Sequence, residues 1–424
     1  MSSQSTTIPT TVAFGTARRR TTMGIVFLAL AGVIWYFFSR TTQAGMITTF
    51  TLNPGGSQAN FPDLVFGTLP ILNVLASVCA LMGAFQLVRG FGKRTNVVLG
   101  LVAALFIFAF LSWVASGASL NLAGLLRATL IRAIPITLGA LSGILCERAG
   151  VVNIAIEGMM LTSAMLAAIF GSMYGLWVGL LSGVIAGGLL ALVHAILSIK
   201  YKTDQIVSGT VINIFSIGIT SFISAKYLAS SRHLNNPGIF SEIQVPGLVD
   251  IPFIGPIVFS HNIFFFGMVI LLALLHFGLF FTRWGLRLRS VGEHPKAADT
   301  LGINVFRTRY MAVILGGMMA GFGGAYFTLG SVGRFDEVMT AGRGFIGLAA
   351  MIFGNWNPFG AFGAGLLFGF ADMLAARLAI LGVRVPSEFL LMAPYVATMI
   401  ILAGVVGRGQ MPAADGQPYE KEGH

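Results

Sequence analysis

The sequence predicts an all-α polytopic membrane protein of about 10–12 transmembrane helices, with one short or re-entrant segment and a helix on its cytoplasmic face. Three observations predict it. Of 424 residues, 56% are hydrophobic and only 10% are charged, and the mean hydropathy is +0.85. A soluble domain that apolar could not cover its core with polar surface. Apolar runs of about 20 residues recur along the chain, the length a helix needs to cross a bilayer. Glycine, at 54 residues, is well above the roughly 7% of average proteins, and small residues let helices pack closely in lipid.

In chain order the apolar runs fall at 23–39, 63–88, 96–116, 125–146, 155–171, 174–199, 205–227, 262–282, 310–330, 342–354, 359–379 and 386–406. The first follows Arg18, Arg19 and Arg20, as a signal peptide would. However, "SRTTQAGM" offers no A-x-A cleavage site, so the run reads as a retained span with a cytoplasmic basic flank. The run at 342–354 is too short to cross and reads as a half-helix or re-entrant piece, or joins the next run through "NWNP". Cys79 and Cys146 lie inside apolar runs and form neither a disulfide framework nor a metal-ligand spacing.

The formal charge of +11 would suggest nucleic acid in a soluble chain. Here the cations cluster in short loops, which the positive-inside rule explains, so no nucleic-acid partner is expected. That rule places "RGFGKR" (89–94), Glu147-Arg148, "KYKTD" (200–204) and the loop 283–309 in the cytoplasm. The last holds six basic residues against Glu293 and Asp299, and Arg287, Arg289, Arg307 and Arg309 read as topology anchors. The loop 228–261, with Arg232, Glu242 and Asp250, falls outside. Residues 1–22 read as a cytoplasmic N-terminal segment, and 407–424 as a disordered cytoplasmic tail. There is no G-x-x-x-x-G-K-[ST]; "RGFGKRT" has the wrong spacing, so the chain is not expected to hydrolyse ATP itself.

The loop "GLRLRSVGEHPKAADTLGINVFRTRY" is longer than a simple link requires. Pro295 suits a first helical turn, residues 296–301 continue a short helix, and Gly302 suits its end. Within it, "VGEHPKAADTLGINV" resembles the cytoplasmic coupling loop of ABC-importer permeases in the ribose/branched-chain amino-acid permease superfamily. "CERAGVVNIAIEGMMLTSAM" (146–165) and "GRGFIGLAAMIFGNWNPFGAFGAGLLFGFAD" (342–372) resemble its nucleoside-type branch. The resemblance covers roughly 125–406, within a permease core at 121–406. The region 23–120 is unmatched and reads as an N-terminal addition of two extra spans. The resemblance implies that Gly292, Glu293, Pro295, Ala297, Ala298 and Gly302 dock on a separate ABC ATPase subunit, which would carry ATP and Mg; this chain itself would bind no cofactor. It also implies a substrate-binding lipoprotein, a second related permease chain, contact with membrane lipid and a bacterial plasma membrane.

Ionisable and amide side chains inside lipid are functional candidates. Asn153 and Glu157 are four apart and share a face if the region is helical, either lining a substrate path or clamping helices. A broken helix there could turn polar backbone to a water-filled path, and the resemblance places the segment near the substrate path. Asn213, with Ser208, Thr210 and Ser216, carries the same two readings; Asn73 near Pro70 is a weaker case. Asp372 reads as either pairing or path-facing. Phe353, Trp356 and Phe359 stack a base or simply pack. His194, His261 and His294 show no metal spacing. The leading expectation is an importer permease for nucleosides, with a sugar or branched-chain amino-acid permease as the variant. An ion-coupled secondary transporter using Glu157 and Asp372 is the second class. A membrane enzyme lacks a catalytic constellation.

Overall fold

The computed structural model describes residues 10–53, 61–380 and 411–421. The chain divides into two compact units at Gly124/Leu125. Ten helices among the described residues are long and apolar enough to cross a membrane, and sheet is confined to short strands, so this is an all-α polytopic membrane protein. The apolar run at 386–406 lies outside the described residues.

The first unit comprises α1 (Thr10–Val33, continued by a wide π turn Ile34–Ser39), α2 (Thr68–Val88) and α3 (Thr95–Val114). Phe27, Ile34, Phe38, Leu72, Cys79 and Val102 form its core. Three crossing helices stand where the sequence reading expects two extra spans. They coincide with the three apolar runs at 23–39, 63–88 and 96–116, each long enough to cross. A small sheet that the sequence did not announce joins their ends. β1 (Ile47–Thr51) pairs antiparallel with β2 (Leu64–Gly67) and parallel with β3 (Ser119–Asn121).

The second unit begins with α4 (Leu122–Glu147), α5 (Ile156–Tyr174), α6 (Leu176–Ala195) and α7 (Gln205–Ile223). A loop follows with β4 (Ile243–Gln244), the short α8 (Ile254–Val258) and β5 (Ser260–His261), then α9 (Ile263–Phe281). Next come α10 (Arg283–Glu293), α11 (Pro295–Thr300), α12 (Val305–Ala325, continued by a π turn Tyr326–Val332), α13 (Arg343–Phe353) and α14 (Pro358–Ile380). α4, α5 and α12 are largely buried; α6, α7, α9 and α14 pack around them with more exposed apolar faces. Leu138, Leu161, Met165, Phe264 and Tyr326 fill one end of the core, and Leu141, Ile144, Leu275, Met351 and Phe368 the other.

α6 meets α12 backbone to backbone. A Cβ on Gly187 would collide with the Gly317 carbonyl, and one on Gly321 would lie 2.6 Å from the Gly183 carbonyl oxygen. In lipid, dispersion across such close contacts supplies the cohesion that water exclusion supplies elsewhere. α13 is a separate 11-residue helix, so the short run is a half-length piece rather than part of α14. The turn between them holds Asn355 and Trp356 at φ of 53° and 52°, a left-handed conformation costly for non-glycine residues.

Candidate functional site

The link between α4 and α5, residues 148–155, is not helical although it lies inside the bundle. Its backbone groups need partners there, and side chains of neighbouring helices supply them. The Val152 amide donates to Gln205 Oε1 (2.7 Å), and the Val152 carbonyl accepts from His194 Nε2 (2.9 Å). The Ile154 carbonyl accepts from Asn213 Nδ2 (2.9 Å), while Asn213 Oδ1 accepts from the Gly158 amide (2.8 Å). Asn153 Oδ1 accepts from the Ala155 amide (3.1 Å). Because a carbonyl only accepts, His194 Nε2 carries a proton; Nδ1 lies 3.1 Å from Ser208 Oγ.

Asn153 therefore sits in the link, outside any helix, and does not share a helical face with Glu157; the two-sided turn that Asn153 closes defeats that expectation. Glu157, at the start of α5, caps a different helix. Its Oε1 accepts from Thr340 Oγ1 (2.6 Å) and the Gly342 amide (2.8 Å), and its Oε2 from the Gly344 amide (2.6 Å). A carboxylate at the first turn of α13 meets the free amides and the positive end of the helix dipole. Gly344 is tied to this contact, since a Cβ there would come within 2.7 Å of the Glu157 backbone. Asn153, Glu157 and Asn213 are all buried in interhelical clamps.

A cavity of about 410 Å³ opens between α4, the π turn after α12 and α13. Arg132, Pro135, Tyr326, Phe327, Ser331 and Arg343 line it. Asp372 of α14 holds both cations, 3.1 Å from Arg132 and 3.6 Å from Arg343. The Arg343 guanidinium lies 5.9 Å from the Phe327 ring centre, and the Tyr326 hydroxyl donates to the Ile131 carbonyl (3.3 Å). Asp372 thus pairs, and its two partners border the cavity. The site offers flat aromatic faces beside fixed hydrogen-bond donors, in the volume range of small-molecule sites. Phe353, Trp356 and Phe359 pack elsewhere: Phe353 on Phe368, Phe359 on His276, and Trp356 Nε1 on Glu147 Oε2 (2.6 Å). Arg148 also binds Trp356, through its carbonyl (3.0 Å), so Glu147 and Arg148 are joined by Trp356 rather than by each other.

α10 and α11 follow α9 in the chain. His294 caps α11, its Nδ1 accepting from the Ala297 amide (3.2 Å), with Pro295 in the first turn. Gly302, at φ 80°, ends it. Glu293, Ala297 and Gly302 are exposed and Pro295 half-buried, whereas Gly292 and Ala298 are buried. A Cβ on Gly292 would collide with the Arg148 carbonyl. Ala298 packs with Val291, Val305 and Tyr419. Leu301 is 82% exposed, more than any other large apolar side chain among the described residues.

Residues 411–421 pack against this region, where composition predicts a disordered tail. The Ala414 amide donates to the Gly292 carbonyl (2.9 Å), and the Ala413 amide to Glu293 Oε2 (3.2 Å). Tyr419 stacks near Phe306, with ring centres 5.3 Å apart. Arg309, 1% exposed, donates from Nε to the Ala149 carbonyl (3.2 Å) and from Nη1 to the Gln417 carbonyl (2.9 Å). It is a buried tie rather than a surface topology anchor. The tail is ordered because its apolar Tyr419 and its backbone carbonyl complete a pocket around a charge that cannot reach water.

Residues 125–406 match the family described as branched-chain amino acid transport system / permease component. The chain belongs to that family. The permease is 41% identical over 304 residues to the guanosine ABC transporter permease protein NupQ of Bacillus subtilis, covering 69% of this chain and 95% of that one. It is also 41% identical over 302 residues to the nucleoside ABC transporter permease protein NupC of Lactococcus lactis, with the same coverage, 69% and 95%. A putative glucose ABC transporter permease, TsgC13 of Haloferax volcanii, is 34% identical over 259 residues, 60% of this chain and 78% of that one. No solved structure matches the permease.

Sequence reasoning about the permease passed over Arg132, Tyr326, Phe327, Arg343 and Leu301. A signal existed for Arg132: "LLRATLIRAIPITL" sets two arginines and a proline inside an apolar run, the mark of a functional position in a membrane. Tyr326, Phe327 and Leu301 carry no local signal, because only the packing around them decides their exposure.

Proposed function

We propose that the permease is the membrane-spanning subunit of an ATP-binding-cassette importer for nucleosides. The observation that carries this reading is the cavity, where Tyr326 and Phe327 sit beside the Arg132 and Arg343 guanidinium groups. A nucleoside needs a flat surface for its base and donors for its carbonyl and hydroxyl oxygens. The kinship with two permeases named for guanosine and for nucleosides supports the same substrate class. A substrate-binding lipoprotein would deliver the solute, and a second related permease chain would complete the translocation unit in the plasma membrane, with both termini cytoplasmic.

ATP and Mg would be held by a separate ATPase subunit. Its docking face on this chain is the exposed side of α11 and the residue that follows it, where Ala297 and Leu301 are exposed. Closure of the ATPase would move α10–α11 and, through Arg309 and Ala149, the α4–α5 link. Asn213 ties that link to α7, and Glu157 ties α5 to α13, whose Arg343 borders the cavity. This contiguous chain of contacts is the route for alternating access.

The test is uptake of labelled guanosine into vesicles that contain the permease, its ATPase, its partner permease and the lipoprotein. Expected is ATP-dependent guanosine uptake, lost on Arg132→Ala. Uptake of glucose alone would favour a sugar permease, in line with the likeness to TsgC13. Uptake that persists without the ATPase under an ion gradient would point to a secondary transporter.

A further inference from the structure

The first unit has a one-sided charge distribution. Residues 1–124 contain Arg18, Arg19, Arg20, Arg40, Arg89, Lys93 and Arg94, against a single carboxylate, Asp63. Asp63 precedes α2 and Arg89 follows it, so the length of that helix, about 30 Å at 1.5 Å per residue, separates the carboxylate from the cluster. Six of the seven cations thus gather at one end of α1, α2 and α3 with no acidic side chain of the unit near them.

Three of them, Arg19, Arg20 and Arg89, border a hollow. A space of about 300 Å³ is lined by Arg19, Arg20, Arg89, Gly90, Gly92 and Thr95. The backbone shapes it. Gly90 is at φ 76°, and its missing Cβ leaves room for the Arg20 stem, whose Cδ would lie 2.8 Å from such an atom. Buried Gln86 holds the turn, accepting from the Phe91 amide (3.0 Å). Arg19 is fixed by Asn96 Oδ1 (2.6 Å). Among the described residues, the Arg20 and Arg89 guanidinium groups have no hydrogen-bond or ion-pair partner. α3 starts at the hollow, at Thr95, whose amide donates to the Gly92 carbonyl of the 3-10 turn before it. Beside it, Phe85, Val88 and Val97 expose 43%, 75% and 73% of their surface.

Topology alone asks only for positive charge somewhere in these loops. It does not ask for three arginines around one space, free of carboxylates. Guanidinium forks are matched by a tetrahedral phosphate. The exposed apolar side chains next to it suit acyl chains, which a free phosphate lacks. We infer that this hollow binds the phosphate of an anionic phospholipid headgroup, with Arg19, Arg20 and Arg89 as its donors. Such a site anchors the first unit to one membrane leaflet and makes its packing responsive to lipid composition.

The test uses the full chain, purified in detergent and loaded with phosphatidylglycerol or with phosphatidylcholine. Native mass spectrometry counts the retained lipid. Expected is selective retention of phosphatidylglycerol, reduced about tenfold in Arg19→Gln/Arg20→Gln/Arg89→Gln. It should survive in the corresponding triple lysine variant and in Arg40→Gln, whose charge lies at the other end. A thermal melt of each variant checks that the unit stays folded; the three side chains are exposed. Equal retention of both lipids, or no loss in the glutamine triple variant, overturns the proposal. Displacement of the lipid by millimolar inorganic phosphate overturns the lipid assignment in favour of a free anion.

Discussion

Two carboxylates, Glu157 and Asp415, show how much of this permease rests on single side chains. Glu157 accepts from two amides and one hydroxyl at the start of α13. Replacing it with alanine leaves those donors buried and unpaired, at a cost of about 1–3 kcal/mol. Glu157→Ala is therefore expected to lower the melting temperature of the purified chain, measured by thermal denaturation. Glu157→Gln should fall between the two, because its amide nitrogen faces N–H donors. The sequence marks Glu157 as costly in lipid, yet its partners lie at 340–344, and nothing local announces them. Asp415 makes a second case. Burial lifts its carboxyl from an ordinary 3.8 up to about 7, and the Arg309 charge only partly offsets this. Glu147 of α4 and Arg309 of α12 face it. The packed tail thus binds a proton that a released tail gives up above the ordinary carboxylate range. Tail packing is strongest below pH 4 and weakens as pH rises to about 7. Protease cleavage within 411–421 should accordingly speed up across that window, and Asp415→Asn should flatten the dependence.

Among the elements, α11 best separates what patterning can reveal from what it cannot. Pro295 and Gly302 mark its start and end in the sequence, and the structure caps it at His294 and stops it at Gly302. A six-residue helix has no periodicity long enough to declare a buried face. Its orientation is decided by α12 and by Tyr419, which draw Ala298 inward and leave Leu301 outward. Two substitutions should therefore part ways. Leu301→Asp is expected to weaken capture of the ATPase subunit about tenfold in a pull-down, with an unchanged melting temperature, since it touches only the exposed face. Ala298→Arg should lower the melting temperature itself, because a charged chain cannot fit a site that is 2% exposed. If both variants lose capture with no change in melting, the assigned face is wrong. The spans themselves were legible from hydropathy, whereas the break after α4 and the separateness of α13 each stood as one of two readings that the structure decides. The three N-terminal spans match the apolar runs 23–39, 63–88 and 96–116, although the reading of that region counted only two; the small sheet was not legible, because its strands are only three to five residues long.

Across the whole molecule, the tail 411–421 completes structure built more than 100 residues earlier. Arg309 enters the second unit as a buried charge, held by the carbonyls of Ala149 and Gln417 and facing Asp415. Of these, only Ala149 lies outside the tail. A chain ending at 410 would keep the guanidinium buried while removing the Gln417 carbonyl, and leaving a buried donor unpaired costs about 1–3 kcal/mol, more when it is charged. The same cut uncovers Val291, Ala298 and Val305, which Tyr419 covers. The truncated permease is thus expected to melt at a lower temperature. If the unpaired charge is the chief cause, Arg309→Met in the truncated chain should recover most of the loss, although the same change in the full chain should destabilise it by leaving the Gln417 carbonyl without its donor. That sign reversal between backgrounds is the coupling energy of two contacting groups, and thermal denaturation of the four proteins measures it. If Arg309→Met destabilises both backgrounds equally, the tail holds its place through Tyr419 and the backbone contacts to Gly292 and Glu293 instead. In that case Tyr419→Ala alone should reproduce most of the truncation, and the strap would act on α10–α11 by packing rather than by charge.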